Sequence, residues 1–184
     1  MQMDEGLDTG DMLLRHACAI EANDTAQTLQ DKLAELGATS ILETLRLLEE
    51  AASEGSDAQN RLVPEKQNED AATYAPKLTK SEARIDWRQD ARQIERAVRA
   101  YNPYPGSHAQ LNGETIKIWQ AAFCPEAVGV PGRVIDANKR GITVACGKNA
   151  LRLEVLQRPG GKPQSAAQFL QGRPVEIGDD FDAS

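Results

Sequence analysis

The sequence predicts an α+β fold in two unequal parts: a helical region behind an acidic glycine loop, then a longer region built as a small open β-barrel. Three observations carry that reading. Apolar residues recur at helical spacing early in the chain and at alternating spacing late in it. A polar stretch poor in apolar residues, 54–76, separates the two patterns. Charge changes sign across it: residues 1–76 hold 16 acids against 5 bases, residues 77–175 hold 16 bases against 8 acids, and residues 176–184 add 4 acids and no base. The three blocks carry −11, +8 and −4 within a total of −7.

Residues 1–14 read as a strand end, a glycine-rich acidic loop and the start of a second strand. Residues 11–20, rich in apolar side chains, are expected to be a buried strand. Asp24 and Thr25 can cap a helix whose apolar face is Leu29, Leu33 and Leu36, ending at Gly37. A second helix is expected at 39–52, with Ile41, Leu42, Leu45 and Leu48 on its apolar side. These helices need a sheet to cover them, and one strand pair cannot supply it. The mismatch points to truncation, with the chain as the back part of a longer fold.

Behind the linker, residues 90–101 predict a helix with Ile94, Ala97 and Val98 inward, stopped by the prolines at 103 and 105. Arg88, Arg92, Arg96 and Arg99 follow at spacings that put them on one face. Residues 107–111 and 115–123 flank Asn112-Gly113, a hairpin signal. Strands are expected at 132–138, 142–146 and 150–157, the last alternating Leu151, Leu153 and Val155 against Arg152, Glu154 and Leu156. Residues 165–170 predict a short helical turn. The acidic tail 176–184 is expected to be disordered.

Composition excludes several classes. No apolar run approaches the roughly 18 residues of a membrane helix, and the acidic start is no signal peptide. Cys18, Cys124 and Cys146 lack CxxC spacing, so the expectation is reduced thiols in a cytoplasmic protein, without disulfide or metal. The basic block fits either a polyanion-binding module or an ordinary basic surface.

The one candidate catalytic group early in the chain is Asp8, between Gly6 and Gly10. A carboxylate there can accept a proton or orient a histidine; as a bare pattern it reads first as turn chemistry.

Two stretches sharpen this. The first 14 residues, and the run Tyr74-Ala75-Pro76-Lys77-Leu78, Glu82-Ala83-Arg84-Ile85-Asp86-Trp87 and Ile94 through Pro105, resemble the methionyl-tRNA formyltransferase family. Pro131-Gly132-Arg133-Val134-Ile135 and residues 156–162 fit the same pattern. The resemblance implies a Rossmann-like catalytic domain, of which residues 1–53 would be the end, a linker at 54–76, and an OB-like barrel at 77–175. It implies transfer of a formyl group from 10-formyltetrahydrofolate to methionyl initiator tRNA by a monomeric cytoplasmic enzyme. Of the family's catalytic Asn, His and Asp, only the Asp has a counterpart, Asp8. Gly6, Leu7, Asp8 and Gly10 would line the donor's site. His16 and His108 match neither missing residue, so the chain by itself is expected to be inactive. Lys77, Lys80, Arg84, Arg88, Arg92, Arg96, Arg99, Arg133, Lys139 and Arg140 would meet tRNA phosphates. Trp87 and Tyr101 are expected to pack where helix meets barrel. Two other readings remain: a stand-alone RNA-binding module, and a formyltransferase relative acting on a small-molecule amine.

Overall fold

The structure, a computed structural model, describes residues 1–54 and 63–182. Residues 55–62 of the predicted linker, and 183–184 of the tail, lie outside the described residues. The chain divides into two compact units, Met1–Ala22 with Thr28–Pro76, and Asn23–Gln27 with Lys77–Ser184.

In the first unit one helix, α1 (Ala26–Glu54), replaces the two expected. Gly37 does not stop it. A glycine ends a helix by turning left-handed, and Gly37 keeps a right-handed backbone with open space where a side chain would be. The hydroxyls that follow are absorbed by back-bonding: Ser40 Oγ donates to Leu36 O at 2.7 Å and Thr44 Oγ1 to Ser40 O at 2.8 Å. Residues 11–20 do not form the expected buried strand. Among the described residues only Met12 of this stretch forms a β-bridge, exchanging two backbone hydrogen bonds with Glu65, and residues 15–17, 19 and 20 are exposed. A strand needs a neighbour along its length, and among the described residues Glu65 alone is offered.

The second unit is an antiparallel sheet with helices packed against it. β1 (His108–Leu111), β2 (Glu114–Cys124), β3 (Val134–Asn138), β4 (Gly141–Ala145) and β5 (Ala150–Gln157) lie in the order β1-β2-β5-β4-β3, and β6 (Gln164–Ser165) pairs with β5. The β1–β2 hairpin turns on Asn112 at φ 51° and Gly113 at φ 76°, the left-handed pair that matches strand twist. β5 departs from the expected alternation. Leu151 and Leu153 are inside as read, but Leu156 is buried and Val155 half-exposed. The cause is irregular register on either side of Gln120 in β2, which shifts the phase of its partner.

α2 (Ala91–Ala100) is capped by Asp90, whose side chain accepts from Arg92 N at 2.8 Å. Its buried face is Ala91, Ile94 and Val98. Gly147 fixes the corner before it. Its N–H donates to Trp87 O and Gln89 O, and a Cβ there would sit 1.8 Å or less from a backbone atom, 1.7 Å from Arg88 O. α3 (Ala166–Gly172) starts with a capping box of Ser165 and Gln168. The core joins Trp87, Ile94, Val98, Leu111, Ile116, Ile118, Val134, Ile142, Leu151, Leu153, Leu156, Phe169 and Phe181.

The tail is ordered through residue 182, contrary to expectation. Val134 N donates to Asp179 O, Phe181 N to Gly132 O and Asp182 N to Gln110 O, at 2.7–2.8 Å. The segment thereby bridges the edges of the sheet at β1 and the start of β3. Phe181 is 2% exposed and meets Trp87 with ring centroids 5.5 Å apart. One buried aromatic outweighs the acids around it, because those acids stay at the surface or pair there.

Candidate functional site

Gly6, Leu7, Asp8 and Gly10 lie together in the acidic loop. Gln2 N closes it by donating to Asp11 O at 2.8 Å. From the predicted linker, Gln67 Nε2 reaches across and donates to Asp8 O at 2.8 Å and Gly10 O at 2.7 Å. Gly10 is required by close approach, since a Cβ would fall 1.8 Å from Gln2 O. Leu7 is 89% exposed, and Asp8 is left-handed at φ 56°. The Asp8 carboxylate has no partner among the described residues. A carboxylate without a partner is open to accept a proton or orient a histidine. Gln67 escaped the sequence reading because a glutamine in a polar stretch carries no local signal of a long-range bond.

His16 sits apart from any acid–base pair with Asp8: its Nδ1 meets Ser40 Oγ at 2.9 Å and its Nε2 lies 3.7 Å from Glu43. His108 Nδ1 lies 3.3 Å from Gly106 O. Burial pushes the Cys146 thiol up to about 12, so it stays protonated and unreactive at neutral pH. Among the described residues no group of three His, Cys, Asp or Glu is placed to hold a metal.

The ten basic residues divide by what they touch. Lys77, Lys80, Arg96, Lys139 and Arg140 are exposed, with no side-chain partner among the described residues. Arg92 is exposed and lies 4.0 Å above the Phe123 ring. Arg84 pairs with Asp182 at 3.1 Å and Arg133 with Asp180 at 3.5 Å, both acids of the tail. Arg88 forms a fork on Asp86, which holds the Asp86 carboxyl below the usual carboxylate range and raises Arg88 in turn.

Two of the ten depart from the expected stripe. Arg88 precedes the α2 cap and is not on the helix. Arg99 is turned to structural use: its side chain, 23% exposed, binds Glu95 at 2.8 Å and donates to Asp24 O at 2.8 Å. Spacing predicts a shared helical face, but it cannot show that a neighbouring carbonyl claims the guanidinium.

Lys117 and Trp119 lie at alternate positions of β2. Trp119 Nε1 donates to Gln157 Oε1 at 2.7 Å, Asn102 Nδ2 donates to Trp119 O at 3.1 Å, and Lys117 Nζ lies 5.4 Å from the ring centre. The pair at alternate positions of one strand was the available signal. Trp87 is buried as expected, at 4% exposure.

Against known proteins, residues 77–174 match the formyl transferase C-terminal domain and residues 1–45 match the formyl transferase family. A methionyl-tRNA formyltransferase of Nitrosomonas eutropha is 48% identical over 182 residues, 98% of this chain and 55% of that protein. One of Nitrosospira multiformis is 46% identical over 184 residues, 100% of this chain and 56% of that protein. The chain spans about half the length of the curated relatives it matches. Among solved structures, a variant of HypX from Aquifex aeolicus superposes with TM-score 0.65 at 19% identity, covering 97% of this chain and 30% of that one. HypX in complex with tetrahydrofolic acid gives 0.63 at 19% identity, over 98% and 32%. At that identity the likeness is one of fold. By the two domain matches and the identity of these relatives, the chain belongs to the formyl transferase family.

Proposed function

We propose that this chain serves the formylation of methionyl initiator tRNA, as the end of a Rossmann-like catalytic domain (residues 1–53), a linker (54–76) and an OB-like RNA-binding barrel (77–175). The observation that carries the reading is 48% identity to a methionyl-tRNA formyltransferase across 98% of the chain. The setting is the cytoplasm and the protein a monomer. Among the described residues no helix is long and apolar enough to cross a membrane.

The formyl donor is 10-formyltetrahydrofolate, a reading supported by the HypX complex with tetrahydrofolic acid. The loop fits such a group as one wall of its site. Gly10 lets backbone approach closely, Leu7 offers an exposed apolar side chain, and Asp8 offers a carboxylate without a partner among the described residues. When bound, the donor supplies the activated formyl group. The task of Asp8 is to orient a basic group and carry a proton as the amine becomes an amide. Lys77, Lys80, Arg84, Arg88, Arg92, Arg96, Arg133, Lys139 and Arg140 meet RNA phosphates; Arg99 supports them from within the fold. That role for the barrel draws support from its net +8 charge.

The test is a chimera in which this chain replaces the matching part of the Nitrosomonas eutropha protein, assayed with methionyl initiator tRNA and 10-formyltetrahydrofolate. Formylation is expected, with Asp8→Asn lowering kcat by about 10²–10⁴-fold. A folded chimera that binds tRNA but does not formylate it would favour the stand-alone RNA-binding module. Formylation indifferent to Asp8→Asn would remove the role given to Asp8.

A further inference from the structure

Arg84 and Arg133, two of the basic residues assigned to RNA, are already paired, and both partners come from the acidic tail. Asp180 stands directly opposite Arg133 in an antiparallel bridge. On either side of it Val134 N donates to Asp179 O and Phe181 N to Gly132 O, at 2.8 Å. That makes Arg133 and Asp180 a non-hydrogen-bonded pair, the register at which facing side chains come closest. Their charged ends lie 3.5 Å apart. Asp182 is set by its own backbone, whose N–H donates to Gln110 O at 2.7 Å. Its Oδ1 accepts from Gln110 N at 3.0 Å and from Arg84 Nη2 at 3.1 Å. Between the two acids Phe181, 2% exposed, holds the segment down. An anchored backbone therefore delivers both carboxylates to the arginines.

Anchoring and masking are separate tasks. Burial of Phe181 does the first. The ion pairs do little of it, because the Arg84 and Arg133 side chains are 61% and 49% exposed, and exposed pairs are weak. Weak pairs can be exchanged. A strand of phosphates that releases counterions as it binds can displace both carboxylates. Until it does, each carboxylate cancels one arginine and repels the phosphate that would take its place.

We propose that the acidic tail is a built-in competitor of RNA, holding Arg84 and Arg133 with Asp182 and Asp180 until nucleic acid displaces them. The inference rests on the tRNA-binding reading above and adds to it a limit on affinity that the chain sets for itself.

The test is tRNA binding to the full chain across a salt series. Asp180→Asn with Asp182→Asn removes both charges, keeps an oxygen for Gln110 N, and suits the left-handed backbone of residue 182 at φ 64°. This tail variant is expected to bind about tenfold more tightly at low salt. Its log K should fall more steeply with log salt, by about one to two. The control, Glu126→Gln with Glu176→Gln, makes the same change in net charge at two exposed acids without side-chain partners among the described residues. It is expected to give at most about a third of that gain, since such charges act only through a screened field. Arg84→Gln with Arg133→Gln, added to the tail variant, is expected to cancel the gain; in the parent chain the same change should cost less than that gain. If the tail variant does not fold, Asp180→Asn alone, whose carboxylate binds only Arg133 among the described residues, is expected to give about threefold. If the tail variant gains no more than the control, or keeps its gain without the two arginines, the tail does not mask them and the RNA reading stands alone. If neither the parent chain nor the tail variant binds tRNA at low salt, the RNA reading falls and the proposal falls with it.

Discussion

Residues 77–182 bury their apolar side chains, and the first unit does not. In the second unit Leu111, Ile116, Ile118, Leu151, Leu153 and Leu156 are at most 1% exposed. In the first, α1 carries a comparable series, yet Leu33, Ile41, Leu42, Leu45 and Leu48 are 44–69% exposed. Both regions have correct local patterning. They differ in what the pattern can face. The sheet of the second unit curls, and its C-terminal segment joins β1 to the start of β3, so its alternating face meets itself. A single amphipathic helix has no such option, and its stripe needs another surface.

The largest effect expected from this contrast is at Phe181. It lies in a run of acids, beyond the residues that match the C-terminal domain of the family, and the strap depends on it. Phe181→Ala should cost about 3–5 kcal/mol, as large aromatic truncations in cores do. Denaturant unfolding of the chain, followed by tryptophan fluorescence at Trp87, measures it. A loss below about 1 kcal/mol would mean that the tail is an accessory and that the sheet holds without it.

This contrast also explains what was legible in the sequence. Elements decided within a few residues were read correctly: α2 by its apolar spacing and proline stop, and the first hairpin by Asn112-Gly113. Elements decided by a distant partner were misread. Residues 11–20 looked like a strand because apolar residues were dense, but among the described residues only Met12 forms a β-bridge, with Glu65. Gly37 looked like a stop because local rules favour one there. The tail looked disordered because charge was averaged over nine residues, and one Phe decided otherwise. At the site, the loop around Asp8 was visible as glycine spacing, while its strap, Gln67, was not. For the basic residues, sequence showed the charge but not its partner, which is why Arg99 was counted with the free cations.

A middle-sized effect tests whether local signals matter in the region that is well packed. Asp90→Ala removes the side-chain acceptor for Arg92 N and should cost about 1 kcal/mol. Because α2 is also held by Ile94 and Val98 in the core, the helix should survive, with far-ultraviolet circular dichroism unchanged and the unfolding midpoint lowered. Loss of the helix itself would show that the cap, and not burial, decides α2.

The smallest effect is expected at Leu45, and it bears most directly on the first unit. The side chain is 55% exposed, so truncation removes little burial and leaves no cavity. Alanine is also the better helix former, by a few tenths of a kcal/mol. The two terms oppose each other, and Leu45→Ala should lie within about 0.5 kcal/mol of the parent chain. Burial of the same residue would change the outcome to the 2–5 kcal/mol of a core leucine. The measurement is the same denaturant titration, read by circular dichroism so that α1 contributes, at two protein concentrations tenfold apart. A loss above about 1 kcal/mol at both concentrations would show that the apolar stripe of α1 is covered within the chain in solution, and the contrast between the two units would collapse. A loss that appears only at the higher concentration would place the cover on a second copy.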